Sequence, residues 1–571
     1  MSMRWGPQTD ADGTTTFTLW APDRDEVTLE LDTAGVVAAV SMARRDDGWF
    51  SATAPCALGT RYRFRLAPDL VVPDPASRGQ ADGVHGWSVL TDPAGYTWQC
   101  NAWQGRPWTE AVIQEVHVGA MGGFTGVAQQ LPRLAKLGIT AVQLMPVGDF
   151  SGSRGWGYDG VLPYAIAPAY GTPDALKALV DTAHALGVMV FLDVVYNHFG
   201  PDGNYLGSYA GAFFDTGKQT PWGGAVAVQQ LPVRDFFIDN AMMWLDEFRI
   251  DGLRFDAVHA IDDTAFLDEM ATRIRERFAD VHKHLVLENE ANDAARLTPA
   301  LYDAQWNDDF HNVLHVLLTG ETEAYYAGFA DNPTGKLACC LAQGFVYQGE
   351  QPPGATHARG TKSGHLPPTA FVSFLQNHDQ IGNRAMGERL TQLVSKTRLC
   401  AATALLLLCP QIPLLFMGDE TGSTTPFLFF TDFTEELADA VREGRRREFA
   451  GFAAFANAAD RARIPDPNAQ ASFAASIPEP GPDAAEWTAF YSALIALRHR
   501  YVVPRLKGAR NGEAALLGTG AVHAFWHMAD GAALNIAINI GPEPVAFPAI
   551  PDPFFVLGNA GAPGSFAAGL A

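Results

Sequence analysis

The sequence predicts an α/β protein whose centre is a closed (β/α)8 barrel of the TIM type, with an N-terminal and a C-terminal β-sandwich. Three observations predict it. Eight short apolar runs recur between about Ala111 and Gly422, amphipathic helical patterns alternate with them, and polar residues cluster just after many of the runs, as they do in barrels.

Taken in chain order, residues 15–66 show short alternating runs such as Phe17-Thr18-Leu19-Trp20, separated by Pro, Gly and Asp turns. This suits a small sandwich over 1–95. A stretch rich in Pro, Asp and Gly, 72–95, reads as a link. The barrel and its excursions are assigned to 96–480. Its strands are expected at 112–118, 141–146, 188–195, 252–258, 285–288, 303–306, 371–376 and 413–417, each a run apolar enough to be covered on both faces. Helices are expected at 127–137, 174–186, 234–248 and 264–278, where apolar residues step by three and four. An open doubly wound sheet is the alternative, but the chain has no G-x-G-x-x-G turn and no P-loop. After Gly422 come a Phe-rich segment, a charged amphipathic stretch (435–449) and a helix (486–499). The run Arg445-Arg-Arg447 reads as a solvated, ion-paired helix face. Strands return at 521–527 and 533–540, so 481–571 is expected to hold the second sandwich, with a loose Gly/Ala-rich tail from Gly558.

Composition narrows the function. The chain has 571 residues, 47% hydrophobic, enough for two or three domains. Its 63 acidic against 40 basic residues give a net charge of -23, which argues against a nucleic acid or an anionic membrane as partner and leaves a neutral substrate such as a sugar. Pro410, Gln411 and Pro413 interrupt the apolar segment 399–417, so a buried helix followed by a buried strand is expected there, not a membrane span. The polar start lacks a secretory signal, which predicts a cytoplasmic protein. The six cysteines show no C-x-x-C spacing and read as free thiols. No metal and no cofactor is called for.

Chemistry-bearing residues end four of the runs: Asp193-Val-Val-Tyr-Asn-His198, Gly252-Leu-Arg-Phe-Asp256, Leu285-Val-Leu-Glu288 and Gln376-Asn-His-Asp379. Glycoside hydrolysis with retention needs an ionised carboxylate as nucleophile and a protonated carboxyl as acid, roughly 5 to 5.5 Å apart. Arg254 and Asp256 share a face if the strand is regular, and a neighbouring cation favours the ionised form. Glu288 follows three apolar residues, whose burial raises its pKa. Alternation alone leaves Glu290 as its rival. Each group also has a structural alternative: an internal Arg254–Asp256 ion pair, an exposed glutamate, or hydrogen-bonded pairs at His378–Asp379 and Asp193–His198. Aromatic rings stack on sugar faces, which makes Trp156 and Tyr158 in Gly155-Trp-Gly-Tyr-Asp-Gly160 candidates. Trp222 and Trp306 sit in similar polar loops, where packing carries more weight for each.

At these four segments the chain resembles the α-amylase superfamily of glycoside hydrolases. The resemblance implies that Asp256 is the nucleophile, Glu288 the acid/base and Asp379 the third acid, which binds sugar hydroxyls. It also implies that Tyr158, His198, Arg254 and His378 line the subsite of the attacked glucose, that Asp193 supports Arg254, and that Glu288 rather than Glu290 heads Glu288-Asn-Glu-Ala-Asn-Asp293. Within the superfamily the chain is most similar to the malto-oligosyltrehalose trehalohydrolases, through Glu115-Val-His-Val-Gly119, Trp156-Gly-Tyr-Asp-Gly-Val161, Asp193-Val-Val-Tyr-Asn-His-Phe-Gly-Pro201, Asp256-Ala-Val-His-Ala260, Asp303-Ala-Gln-Trp-Asn-Asp-Asp-Phe-His311 and Asn377-His-Asp-Gln-Ile-Gly-Asn-Arg384. That family implies malto-oligosyltrehalose as substrate, a functional link to malto-oligosyltrehalose synthase, and substrate contacts that extend to Trp156, Trp222, His259 and Asp308. The chain departs from the pattern at Leu287, Phe255 and Pro426-Phe-Leu-Phe-Phe430. Ordinary α-amylases often carry Lys-His after the nucleophile where this chain has Val258 and His259. A glycogen branching enzyme and a catalytically silent glucan-binding protein remain as alternatives.

Overall fold

The structure, a computed structural model, describes residues 5–220, 223–261 and 263–571. Eight parallel strands close into a barrel in chain order: β1 (Ile113–Val116), β2 (Ala141–Leu144), β3 (Met189–Val194), β4 (Gly252–Phe255), β5 (His284–Leu287), β6 (Ala304–Trp306), β7 (Phe371–Ser373) and β8 (Ile412–Phe416). They fall within or beside the eight expected runs and are mostly shorter, because many runs end in residues that leave the ladder and turn over the barrel mouth. Ile113 of β1 pairs with Leu414 of β8, which seals the ring. Met189, Phe191, Val286, Trp306, Phe374 and Leu414 fill the lumen as a cluster of their own. The barrel is therefore a packed core, and each large apolar side chain buried there contributes about 1.5–3 kcal/mol.

The helices form the outer layer. α1 (Gly123–Leu137) buries Phe124, Val127, Leu131, Leu134 and Leu137, one stripe at three- and four-residue steps. It stops at Gly138, whose φ of 105° suits glycine and whose N–H donates to the carbonyls of Leu134 and Ala135. α2 (Pro173–Ala185), α3 (Leu231–Asp246) and α4 (Thr264–Arg277) follow, α4 capped by Asp263, which accepts from the N–H of Ala265 and Phe266. Further on come α5 (Asp308–Thr319), α6 (Pro333–Gln343), α7 (Lys396–Leu408) and α8 (Ala484–Leu497). α7 is buried almost throughout and leads into β8. Among the described residues no helix is long and apolar enough to cross a membrane.

α8 packs against α1 and α7 with Leu494 and Ile495 fully buried, and Arg498 just beyond it donates to the carbonyls of Leu407, Cys409 and Gln411. This helix belongs to the barrel's ring, so we place the start of the C-terminal unit after it rather than at 481. That unit is one antiparallel sheet in the order Arg510–Gly518, Ala521–His527, Ala533–Asn539, Ser565–Leu570, Pro553–Leu557. Its inner face lies on α6 and α7, and Trp526 Nε1 donates to the Leu341 carbonyl of α6 at 2.9 Å. The tail expected to be loose is instead an inner strand of this sheet, with Phe566 and Ala568 fully buried. Its small residues fit closely between two neighbouring strands, and both of its edges are hydrogen-bonded.

At the N-terminus two sheets face each other. One holds Gln8–Thr9, Thr14–Trp20, Ala43–Arg44 and Trp49–Pro55; the other holds Thr28–Thr33, Val36–Ser41, Arg61–Ala67 and Leu70–Val72. Phe17, Leu19, Leu29, Tyr62 and Phe64 point inward between them. The stretch 72–95 is no loose link. Asp74 is buried and accepts from Tyr62 Oη at 2.8 Å, while Arg78 pairs with Glu247 just after α3 at 2.8 Å. Asp74 ties the stretch to the sandwich, and the buried Arg78–Glu247 ion pair fastens it to the barrel.

Candidate active site

The parallel register brings the functional groups together. Asp193 of β3 pairs with Arg254 of β4, and Phe255 pairs with Leu287 of β5, so Asp256 and Glu288 stand level on neighbouring strand ends. Arg254 is fully buried at the centre. Its Nη1 donates to Asp193 at 2.6 and 2.7 Å and to Asp256 Oδ1 at 2.8 Å, and its Nη2 lies 2.7 Å from Glu288 Oε2. The buried ring of Trp306 forms a floor 4.2 Å below the guanidinium carbon. Trp306 thus packs, as the weight of its sequence context suggests.

Three carboxyl groups surround this one guanidinium, and they cannot all be ionised cheaply in a dry site. Burial would lift Asp256, but Arg254, His198 and a hydrogen bond from Asn197 outweigh it and hold this carboxyl below its ordinary value. Burial pushes Glu288 well above its ordinary value; Asp256, Asp379 and Asp308 add to the rise and Arg254 opposes it. Burial also lifts Asp193, to about 7, against the pull of Arg254; of the two carboxyls at the strand ends, it is Glu288 that this neighbourhood favours in the protonated form. The ion pair with Arg254 and the hydrogen bond from the Ala257 N–H at 2.8 Å both go to Oε2, which leaves Oε1 as the oxygen free to carry a proton. Ala257 has φ +39°, a left-handed conformation costing about 1–3 kcal/mol in a non-glycine residue. That turn aims its N–H at the Glu288 carboxyl. Glu290, the rival, is 74% exposed at its side chain against 17% for Glu288.

On the other side of the mouth, Asp379 stands in the first turn of the short helix His378–Gly382, capped by Asn377. Its side chain is 36% exposed and accepts from Asn383 Nδ2 at 3.2 Å. His378 bridges Glu115 Oε1 at 2.7 Å and Asp379 Oδ1 at 3.4 Å. Burial works against its protonation, but Asp379 and Glu115 prevail and push it up to about 9, so the ring is cationic at neutral pH. Tyr158 stacks on this ring at 4.9 Å and donates to Asp193 Oδ2 at 2.6 Å. His198 is buried beside Asn197, within reach of the charge of Asp256. Asp308, at the start of α5, is pushed up to about 7 by burial and by Asp379.

Other expected site residues lie elsewhere. Trp156 is 6% exposed, stacks on Phe427 and meets the edge of His378, with Gly382 packed directly against its ring. It braces the site from behind, because a ring covered on both sides offers no face to a sugar. His259 lies on the exposed rim and accepts from the Glu290 N–H at 3.3 Å. Trp222 lies outside the described residues. Arg445 departs from its expected solvated face: it is buried and donates to the carbonyls of Gly382 and Arg384, which ties its helix to the Asp379 segment. Its neighbour Arg446 is ion-paired with Glu443 on the helix surface.

Three supporting groups carry no role in the sequence reading. They are Glu115, the Ala257 amide and Asn197, which donates to Asp256 Oδ2 at 2.8 Å and to the Asp256 carbonyl at 2.9 Å. Glu115 and Asn197 stand inside segments that carry the family resemblance, which is the signal that could have marked them. Among the described residues, one His/Asp group could hold a metal, His282, His284 and Asp303, at the opposite end of the barrel.

Comparison with known proteins shows what the chain is similar to. Residues 72–240 match the model described as the alpha amylase catalytic domain, and 509–565 match a domain of unknown function, DUF3459. The chain is 41% identical to the malto-oligosyltrehalose trehalohydrolase of Saccharolobus solfataricus over 78% of this chain and 80% of that protein. It is 36% identical to the Mycobacterium tuberculosis protein of the same name over 93% of both. A branching enzyme of Aliivibrio fischeri matches over 38% of the chain at 33% identity. Among solved structures, a candidate alpha amylase from Salmonella typhimurium superposes with a TM-score of 0.95 at 44% identity over the whole of both chains. A pullulanase from Anoxybacillus sp. LM18-11 superposes at 0.74 with 18% identity, over 100% of this chain and 87% of the other, and shares the fold.

Proposed function

Because the chain belongs to the malto-oligosyltrehalose trehalohydrolase family, we propose that it hydrolyses the α-1,4 bond next to the terminal trehalose unit of malto-oligosyltrehalose, releasing trehalose and a malto-oligosaccharide. The observation that carries the chemistry is two carboxyls held by one guanidinium in unlike surroundings, which hold Asp256 below its ordinary value and push Glu288 well above its own. Groups anchored so close together favour the retaining separation, about 5 to 5.5 Å, over the inverting one.

Asp256 attacks the anomeric carbon while Glu288 Oε1–H protonates the departing glycosidic oxygen. The trehalose moiety leaves, and the sugar stays on Asp256 as an ester of inverted configuration. Glu288, now ionised, takes a proton from water, whose oxygen displaces Asp256 and restores the α configuration. Asp379 and protonated His378 hold ring hydroxyls of the attacked glucose, Tyr158 offers its ring to that sugar, and Asp193 keeps Arg254 in place. A synthase that forms the terminal trehalose linkage must supply the substrate. The six free thiols support a reducing, cytoplasmic setting.

The test is incubation with malto-oligosyltrehalose and, separately, with amylose, with free trehalose and new branch points quantified. Trehalose release from the first without branching of the second is expected. Branching without trehalose release would replace this reading with a glucan transferase.

A further inference from the structure

We propose a second site, for one transition-metal ion of the zinc class, at the N-terminal end of the barrel on His282, His284 and Asp303. One ligand atom from each of these residues lies within 4.8 Å of the other two. His284 opens β5, and Asp303 directly precedes β6. The site is thus on the barrel face away from the catalytic carboxyls.

The hydrogen bonding around the group already has the form of a ligand sphere. His284 is 2% exposed, and its Nε2 lies 2.9 Å from the Arg106 carbonyl, a contact that only a protonated Nε2 can make. The proton is thereby fixed on Nε2, and Nδ1 keeps a bare lone pair that is buried without a partner in the protein. A ring nitrogen that donates to a backbone carbonyl while its opposite lone pair stays open is the usual posture of a metal-binding histidine. Asp303 is divided in the same way. Its Oδ2 accepts from the Leu285 N–H at 2.8 Å and from Arg275 at 2.9 Å, while Oδ1 faces His282 Nε2 at 2.7 Å. His282 is 49% exposed at its side chain, which opens a path for the ion and leaves a coordination position to water.

Two imidazoles and a carboxylate suit Zn2+, Ni2+ or Cu2+ and not Ca2+ or Mg2+, which take oxygen ligands. Tetrahedral bonds of about 2.0–2.2 Å put ligand atoms about 3.4 Å apart. The half-exposed His282 can reach that spacing by a small rotation. Arg275 lies against Asp303 and also 3.4 Å from His282, so it opposes the ion's charge and sets this site below a closed structural zinc site in affinity. The neighbouring Lys283 is turned away to the Ile250 carbonyl. A bound ion would clamp the starts of β5 and β6 and raise thermal stability without entering the chemistry.

Chelator-stripped protein titrated with Zn2+ in a non-coordinating buffer at neutral pH, followed by calorimetry, should take up one ion per chain. His282→Ala, at the exposed edge of the group, should weaken uptake at least ~10-fold while trehalose release is unchanged. Co2+ used in place of zinc should give visible bands without thiolate-to-cobalt charge transfer. Failure to bind zinc, undiminished uptake by His282→Ala, or a thiolate charge-transfer band would each overturn the proposal.

Discussion

Glu288→Gln isolates the protonation state on which the mechanism turns. In the wild type both contacts to Glu288 end on Oε2, and Oε1 is left to hold the proton. A glutamine can place its carbonyl oxygen where Oε2 stood, keep the bond from Ala257 and the contact with Arg254, and present an amide that cannot donate its proton to a leaving oxygen. The fold should survive, and the loss should fall on the chemical step. General acid–base catalysis contributes about 10²–10⁴-fold, or about 2.7–5.4 kcal/mol of barrier. The assay compares malto-oligosyltrehalose with an α-maltosyl fluoride, whose leaving group needs no proton. The variant should lose about 10²–10⁴-fold in kcat on the first and form the glycosyl-enzyme normally with the second. Azide, a nucleophile that needs no base, should then release that intermediate as an α-glycosyl azide. Equal loss on both substrates, or near wild-type turnover of the natural one, would refute the assignment of Glu288.

The same variant bears on stability. Glu288 is raised in the folded state, so its stabilising contribution is full below its ordinary range near 4.5 and is lost as pH rises through the raised value; Glu288→Gln should therefore flatten the fall of Tm on the alkaline side, measured by calorimetry across pH. Glu115→Gln removes the anion beside Nδ1 of His378, which lowers the ring from about 9; the alkaline limb of kcat/KM should move to lower pH while the rate near pH 6 holds. Asp308→Asn removes a group that titrates near 7 and a negative neighbour of Glu288; Glu288 should lose its proton more easily, and the pH–rate profile should narrow from the alkaline side. Phe566→Ala should cost about 3–5 kcal/mol in urea unfolding, as a buried aromatic does, where a loose tail would cost almost nothing.

What the sequence alone determines is the set of elements and the candidate acids, with Glu288 and Glu290 still rivals by alternation. Eight apolar runs with helices between them specify the barrel, because a strand covered on both faces has to be apolar throughout. Polar groups at the ends of those runs then mark the mouth. The family resemblance carried by the four segments then points to Asp256, Glu288 and Asp379. Tertiary structure sets which carboxyl is favoured in its protonated form. That follows from Arg254 sharing three carboxyl neighbours across β3, β4 and β5, a count that local alternation cannot reach. It also decides between Glu288 and Glu290, turns Trp156 and Trp306 into supports, buries Arg445 against two carbonyls, and draws the Gly/Ala-rich tail into the interior of a sheet. In each case the decisive partner lies far away in sequence. Burial and electrostatics are properties of the assembled neighbourhood, and composition reports only what each residue could contribute to it.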